Sequence, residues 1–408
     1  MFFEHIIIGG GIAGLYQGFK LLKEKKEFII LEKSNKNNSR LQSISNKDLQ
    51  HLFPNTSLDS FVMELGASII HTNQDVLMKL LKDLELDSEI EPLNTKEKSF
   101  FVYSKLETND QKIMKKFYKD IDKFLSNKKD LIPIDYTLED ACKKLLPPKV
   151  YDFYKTCTFE WFELNQQNFH AYLLGKDREG IYCKFRHGIS YIIDKLTSFL
   201  KSRILYDSEV KKIEKIKDQY IVYINDQSYA IKGNNIYLCT PISVAKEEIV
   251  YKNLQSVKNY LSLGYDRCCL RFYVYFKKPI PIEYSQIVGD FQSKWSIKIT
   301  PHLWMISYVD GPLSCFLHSL EEEEVIINWI NDMNKIFKTE ISYTDVLFYK
   351  ASFWKDAYTV LYKDFYKKNK NGLILGHQLL KEVPSSFTIT CLPKDIGQDT
   401  AWMEAHLL

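Results

Sequence analysis

A glycine-rich turn near the start of the chain constrains the fold more than any other feature of the sequence. The segment FFEHIIIGGGIAGL predicts a short buried strand, a turn with three spaced glycines, and then an apolar helix. Residues 28–31, FIIL, predict a second buried strand, which Glu32 follows directly. A strand, a helix and a strand in this order form a βαβ unit, and such a unit predicts a parallel sheet.

The spacing of Gly9, Gly11 and Gly14 matches the GxGxxG pattern of dinucleotide sites. In that pattern the glycines make a tight turn, admit a pyrophosphate close to the backbone and let the helix pack on the strand, while the helix start binds the phosphates. An acid after the second strand suits a free ribose 2′-hydroxyl, which favours FAD or NAD over NADP. The alternative is an ordinary turn without a ligand. The contacts predicted for this unit are Gly9, Gly11, Ile12, Ala13, Gly14, Glu32 and Lys33.

Composition excludes several classes of function. The 55 basic and 52 acidic residues give a net charge of +3, too small to indicate a nucleic-acid or membrane partner. No apolar run approaches the ~20 residues of a membrane span, and no signal peptide is evident. The eight cysteines form no CxxC pair, which favours free thiols and a cytoplasmic protein. The histidine spacings predict no metal site.

Two helix starts are predicted from capping residues. Thr72 is the expected N-cap of an amphipathic helix that carries a leucine-rich face at residues 76–84. Ser319 and Glu322 are the expected capping box of a helix with an acidic first turn. The region between about 90 and 183 is rich in lysine and has mainly helical periodicity.

Five separated stretches together resemble the FAD-dependent amine oxidase family, which includes monoamine, polyamine and L-amino-acid oxidases. They occur in the family's order over nearly the whole chain. The stretches are HIIIGGGIAGL through IILEK, SRL at 39–41, MELGASIIH at 63–71, RHGISYIIDKL at 186–196 with EVKKI at 209–213, and NGLILGHQ at 371–378 with TAWMEA at 400–405.

The resemblance implies an α/β fold with two domains. A Rossmann-like FAD-binding domain is assembled from the discontinuous segments 1–84, 184–264 and 350–408. An inserted α+β substrate domain, a mixed sheet flanked by helices, takes residues 85–183 and 265–349.

The resemblance also implies further cofactor contacts. In the family an arginine, here Arg40, lies by the cofactor, and the MELGASIIH segment runs beneath the flavin ring. The backbone of one residue, here Val210, pairs with the adenine. The stretch WKDAYTVLY lacks the cysteine through which some members hold the cofactor, so FAD is expected to be non-covalent. These further contacts are Arg40, Leu65, Gly66, Ala67, Ser68, Val210, Gly376, His377 and Met403.

The activity implied is that of a flavin-dependent oxidoreductase acting on a small-molecule amine. Hydride passes from the carbon beside the amine to FAD, and oxygen is the final acceptor, giving an imine and hydrogen peroxide. Tyr362 and Trp402 are expected to flank the amine, with ordinary core aromatics as the alternative. Arg267 is expected where the family has a lysine that bridges through water to flavin N5, with a solvated strand-edge residue as the alternative.

A catalytically degenerate relative remains the alternative function. His377 stands where the family has a glutamate for the ribityl chain, and Ala401 and Ala405 replace motif glycines. The sequence also ends four residues after Glu404, where the family continues a helix aimed at the flavin. These departures predict a protein that binds FAD, or has lost it, and serves a binding or structural role. A homodimer is left open.

Overall fold

The structure is a computed structural model that describes residues 1–37, 39–93, 98–103, 111–158, 161–176, 180–225, 229–368 and 374–391. It is an α/β protein with a Rossmann-like unit and a second large sheet, which confirms the predicted fold class.

The strands are distributed along the whole described chain. They are β1 (Phe2–Ile8), β2 (Phe28–Leu31), β3 (Ser43–Ser45), β4 (Val62–Glu64), β5 (Ile70–His71), β6 (Ile90–Pro92), β7 (Ser99–Val102), β8 (Tyr182–Phe185), β9 (Ile204–Leu205), β10 (Val210–Ile216), β11 (Gln219–Ile224), β12 (Tyr229–Leu238), β13 (Val250–Lys252), β14 (Gly264–Phe276), β15 (Gln286–Gly289), β16 (Trp295–Lys298), β17 (Leu303–Asp310), β18 (Val346–Leu361) and β19 (Phe387–Ile389).

The α-helices are interspersed among these strands. They are α1 (Ile12–Lys23), α2 (Asn46–Leu49), α3 (Asp75–Asp83), α4 (Gln111–Asn127), α5 (Leu138–Leu145), α6 (Pro148–Cys157), α7 (Trp161–Leu164), α8 (Phe169–Lys176), α9 (Ser190–Leu200), α10 (Ile242–Glu247), α11 (Gln255–Leu261), α12 (Gly311–Ser319), α13 (Glu322–Phe337) and α14 (Leu375–Glu382). Short 3₁₀ turns connect several of them.

The first sheet contains the predicted βαβ unit. Its strand order is β13-β10-β11-β12-β1-β2-β9, and β19 also pairs with β12. The strand β1 pairs in parallel with both β2 and β12, so it lies inside the sheet, and its last residues are buried on both faces. Helices α1 and α9 cover one face, and α11 and α14 pack on the other.

The second sheet has the order β18-β14-β17-β16-β15-β7 and is antiparallel except where β15 meets β7. Helix α13 covers one face, where Trp304 and Trp329 are almost fully buried. Residues 58–65 pack on the other face. The helices α4–α8 form a separate apolar cluster, in agreement with the helical pattern of that region. No helix of the described ranges is long and apolar enough to cross a membrane.

Two predicted helix starts are wrong. The helix α3 begins at Asp75 after Gln74, because the Thr72 hydroxyl instead accepts a hydrogen bond from the Ile181 amide across a strand connection. The helix α13 begins at Glu322 without a side-chain cap, because the Ser319 hydroxyl donates back to the preceding helix. In both places the hydroxyl that was expected to cap the helix forms a hydrogen bond with another part of the backbone instead.

The two-domain division stays a prediction. Strands from all three segments assigned to FAD binding meet in the first sheet, since β1, β12 and β19 pair side by side. The boundary drawn between residues 349 and 350, however, falls inside the sixteen-residue strand β18, which belongs to the second sheet.

Candidate active site

The glycine loop joins the end of β1 to the start of α1. Gly9 has a φ of +104°, and a Cβ placed there would lie 2.7 Å from the Cys239 carbonyl oxygen. A Cβ on Gly14 would lie 1.9 Å from the Gly9 carbonyl oxygen, whereas one on Gly11 would meet no atom within 4 Å. Packing therefore requires the first and third glycines, while the second borders open space.

That open space belongs to what we call the glycine-loop cleft. It lies between the loop, the ends of β1 and β2, the start of β10 and residues 353–356 of β18. Gly11 caps α1 without a side-chain hydrogen bond, so the helix start presents backbone N–H groups that suit an anion. The predicted residues that line the cleft are Gly9, Gly11, Ile12, Ala13, Glu32, Lys33, Arg40 and Val210.

The Glu32 carboxylate accepts hydrogen bonds from two backbone amides, one in the glycine loop and one just after β2. The Gly10 amide donates to Oε2 at 2.7 Å, and the Ser34 amide donates to Oε1 at 2.9 Å. Each carboxylate oxygen can accept a second hydrogen bond, and the side chain lines the cleft. Lys33 is exposed, and its ammonium lies 3.6 Å from Glu248 at the same cleft.

Arg40 places a half-buried positive charge where the two sheets meet. Its guanidinium donates to the carbonyl oxygens of Asp356 and Ala357 in β18, at 3.2 and 3.0 Å. Burial lowers the pKa of Arg40, and the nearby Asp266 carboxylate opposes that shift. The side chain therefore ties the second sheet to the loop that follows the βαβ unit.

The predicted flavin segment is attached to Arg40 rather than lining the cleft itself. The Ala67 amide donates to the Arg40 carbonyl oxygen at 3.1 Å, and a Cβ on Gly66 would lie 1.8 Å from that oxygen. The Leu65 carbonyl accepts hydrogen bonds from Ser352 and, at 2.7 Å, from Trp354, which lines the cleft. Residues 65–67 thus lie against the wall of the cleft.

Arg271, which the sequence did not single out, reaches this segment. Its guanidinium donates to the Glu64 carbonyl oxygen at 2.8 Å and to the Ser68 hydroxyl at 3.1 Å. The predicted Arg267 instead donates to the Tyr265 hydroxyl at 2.8 Å and does not line the cleft. Both arginines lie on β14, four residues apart, so the alternation of side chains along the strand could not distinguish them. The contacts with residues 64–68 distinguish them, because only Arg271 donates hydrogen bonds to that segment.

Tyr362 lies near Arg267, on the other side of Tyr265. Its ring is 4.7 Å from that of Tyr265, and the Tyr265 ring in turn contacts Arg267. Tyr265 therefore links Tyr362 and Arg267, two of the predicted catalytic residues. Tyr362 is 45% exposed and does not line the glycine-loop cleft. Trp402 lies outside the described residues.

The predicted C-terminal contacts are dispersed. Gly376 is buried in α14 against Phe365, and the His377 ring lies 6.1 Å from the same phenyl ring. Neither residue lines the cleft, and Met403 lies outside the described residues. Within the described ranges, no cluster of three or more His, Cys, Asp or Glu side chains could hold a metal ion.

The half-buried Glu64 side chain anchors the segment through hydrogen bonds. The Ser43 hydroxyl donates to Oε2 at 2.5 Å, and the Ile189 amide donates to Oε1 at 3.0 Å. Burial raises the pKa of Glu64 to about 7, although these hydrogen bonds and Arg271 favour the charged form. Glu64 therefore joins three parts of the chain at a cost in desolvation.

Comparison with known proteins identifies the class of fold. Residues 7–84 match the model of an NAD(P)-binding Rossmann-like domain. Putrescine oxidase, wild type bound to putrescine, is 13% identical with a TM-score of 0.70 and covers 100% of this chain and 97% of its own. Cyclohexylamine oxidase from Brevibacterium oxydans IH-35A is 11% identical with a TM-score of 0.71 over 99% and 96%. No curated protein sequence matches. The chain has the fold of these amine oxidases, which confirms the resemblance at that level.

The raised pKa of Glu64 predicts a pH-dependent stability. A folded pKa near 7 lies above the unfolded value, so the protonated carboxyl stabilises the fold at low pH and this contribution disappears as the pH rises through 7. Between pH 5 and 8 the free energy of unfolding of the wild type should fall by roughly 2–3 kcal/mol relative to that of Glu64→Gln. Urea unfolding at both pH values measures this. The exposed Glu27→Gln is the control, and equal pH slopes for wild type and Glu64→Gln would contradict the prediction.

Proposed function

We propose that the protein binds FAD non-covalently in the glycine-loop cleft and oxidises a small amine. The observation that carries this proposal is the cleft itself, which brings the glycine loop, Glu32, Arg40 and Val210 together and extends to Trp354 on the second sheet. A dinucleotide needs a site that joins separate regions of the fold, because its phosphates and its reactive ring lie far apart. The amine oxidase fold favours FAD as that dinucleotide.

The described residues fit FAD. The start of α1 would hold the pyrophosphate, and Gly11 leaves the space that a side chain would fill. Glu32 would accept from the ribose hydroxyls, and Val210 would pair with the adenine. Residues 65–68 would lie by the flavin ring.

Non-covalent binding is supported by the thiols near the cleft. Cys239 is the one cysteine among the described residues lining it, and burial raises the pKa of Cys239 to about 12. A thiol held protonated at neutral pH is a poor nucleophile. No cysteine occurs in residues 353–362.

The protein's contribution to catalysis would be binding, orientation and charge. When bound, FAD supplies the capacity to accept a hydride from the carbon beside an amine and to be reoxidised by oxygen. Arg271 remains charged at any accessible pH and holds the segment by the ring through Glu64 and Ser68. Its fixed charge would stabilise negative charge that develops nearby during the reaction.

A second candidate function is a flavin-binding protein without turnover. It is favoured by the scattering of the predicted catalytic residues: Arg267 and Tyr362 do not line the cleft, and Tyr362 is nearly half exposed. Both candidates share the cofactor site and differ only in amine oxidation.

The cofactor site is tested by Gly11→Ala. The added methyl group meets no protein atom within 4 Å. The free energy of unfolding of the FAD-free variant should therefore differ from that of wild type by no more than about 0.5 kcal/mol. It should nevertheless bind FAD at least tenfold more weakly, because the methyl group occupies the space next to the phosphates. Titration followed by flavin absorbance measures this, and acid should release the flavin intact. Unchanged affinity would place FAD elsewhere, and flavin retained on the denatured chain would exclude non-covalent binding.

Amine oxidation is tested by anaerobic bleaching of the flavin bands with a panel of amines. Wild type should bleach with at least one amine, and Arg271→Gln should slow this step by roughly 10- to 100-fold because a charge near the ring is lost. Arg267→Gln, four residues away on the same strand, is the matched control and should stay within threefold. Equal losses in both variants would contradict the assignment to Arg271. Bound flavin that no amine bleaches would favour the non-catalytic candidate.

A further inference from the structure

A pair of thiols lies where strand β14 meets helix α12. The Sγ atoms of Cys268 and Cys315 are 2.9 Å apart. The Cys268 thiol also donates to the Gly311 carbonyl oxygen at 3.2 Å. Because Gly311 and Cys315 are four residues apart in α12, they lie on one face of the helix, and Cys268 contacts both. We call this pair the Cys268–Cys315 dithiol.

The position of Cys268 follows from the end of the neighbouring strand. Strand β17 pairs with β14 up to its last residue, which lies opposite Cys269, and the chain then turns at Gly311 into α12. Gly311 has a φ of +57°, and a Cβ there would lie 2.8 Å from the Phe162 Cβ, so the turn favours glycine. The pairing of β14 with β18 is irregular between Arg267 and Cys269. Cys268 therefore lies between the regular pairs of both neighbouring strands, and its thiol reaches the helix.

Access from solvent distinguishes this pair from the other six cysteines. Cys315 is exposed and Cys268 is half-buried, whereas five of the others are buried and Cys239 is half-buried. Burial raises the pKa of Cys239 to about 12, and it also raises the pKa of its neighbour Cys391. Because the thiolate is the reactive form of cysteine, these two thiols are poor nucleophiles at neutral pH. An oxidant that arrives from solvent therefore meets Cys315 first.

The ionisation of Cys315 sets the speed of such a reaction. Burial and the adjacent Cys268 raise the pKa of Cys315, and a hydrogen bond with Ser314 opposes that shift. The thiolate is therefore the minor form at neutral pH, so the first attack on an oxidant is the slow step. The second step is favoured by the contact, because the two sulfur atoms need to move by only about 1 Å to bond.

We propose that the Cys268–Cys315 dithiol is a redox-active site whose substrate is a hydroperoxide and whose reductant is a small dithiol. The Cys315 thiolate attacks one peroxide oxygen, the O–O bond breaks, and the departing hydroxide takes up the proton that Cys315 released. The Cys268 sulfur then attacks the Cys315 sulfenic acid, and the hydroxyl leaves with the Cys268 proton as water. Two thiols and one hydrogen peroxide thus give one disulfide and two waters.

The exposure of Cys315 also permits the reverse reaction. One thiolate of an external dithiol attacks the Cys315 sulfur and releases Cys268, and the second thiol of the reductant then displaces Cys315 to give a cyclic disulfide. Both cysteines return to thiols as one dithiol is oxidised. Hydrogen peroxide is a product of the proposed amine oxidation, so the origin of this substrate rests on the proposed function, whereas the reactivity of the pair does not.

Added hydrogen peroxide tests the site without any amine oxidation. The reduced protein, freed of reductant, receives one equivalent of peroxide, and its thiols are counted after denaturation in an alkylating reagent. The eight thiols should fall to six, and peptide mapping should find one disulfide, between Cys268 and Cys315. Dithiothreitol should restore all eight thiols.

Single variants separate the two roles in the pair. In Cys268→Ser the Cys315 sulfenic acid lacks its partner and should accumulate, and dimedone should trap it as an adduct on Cys315. In Cys315→Ser neither the disulfide nor the adduct should form, and thiol loss should slow by about tenfold or more. Cys183→Ala removes a buried thiol from β8 and is the matched control, which should still lose two thiols.

The outcomes separate this site from the proposed function. A Cys268–Cys315 disulfide in a protein whose flavin no amine bleaches would support the dithiol and contradict only the oxidase. Flavin bleaching by amines in a protein that keeps eight thiols after peroxide would support the oxidase and contradict the dithiol. A disulfide mapped elsewhere, or a disulfide-linked dimer, would overturn the inference in wild type even if a variant failed to fold.

Discussion

The hydrogen bond from the Gly10 amide to the Glu32 carboxylate connects the glycine loop to the end of the second strand, and the rest of the site depends on that connection. It fixes the loop opposite β2 while the close contact of Gly14 with the Gly9 carbonyl fixes α1 on β1. With both constraints met, the start of α1 and the acid of the second strand lie in one cleft. Contacts within the chain itself therefore hold the geometry of the cleft.

The cleft becomes more than a Rossmann site because distant segments complete it. Strand β12 pairs beside β1, Arg40 bonds to the carbonyls of β18, and residues 64–68 are held by Arg271 from β14. Two sheets built from interleaved segments therefore share one boundary. The half-buried Glu64 carboxyl joins three segments there through its hydrogen bonds, although burial disfavours its charged form.

The predicted fold was largely accessible from the sequence, and the predicted site only in part. Strands, the glycine turn and the acid at Glu32 are local features that periodicity and spacing reveal. The two arginines Arg267 and Arg271 of β14 show the limit. Two like residues four apart on one strand have the same alternation, and only the approach of residues 64–68 to one of them distinguishes their environments. The helix caps predicted at Thr72 and Ser319 are wrong for a similar reason. The Thr72 hydroxyl bonds to a remote backbone amide, and the Ser319 hydroxyl bonds to a carbonyl of the preceding helix.

The sequence by itself determined the βαβ unit, because a buried strand, three spaced glycines and a terminal acid are encoded within 32 consecutive residues. It also determined which residue types could serve a dinucleotide. Only the tertiary structure decided which arginine faces the segment by the cleft, and that the thiols of Cys268 and Cys315 lie in contact. Such relations arise from strand register and from contacts between residues far apart in the sequence, and neither leaves a local pattern in the chain.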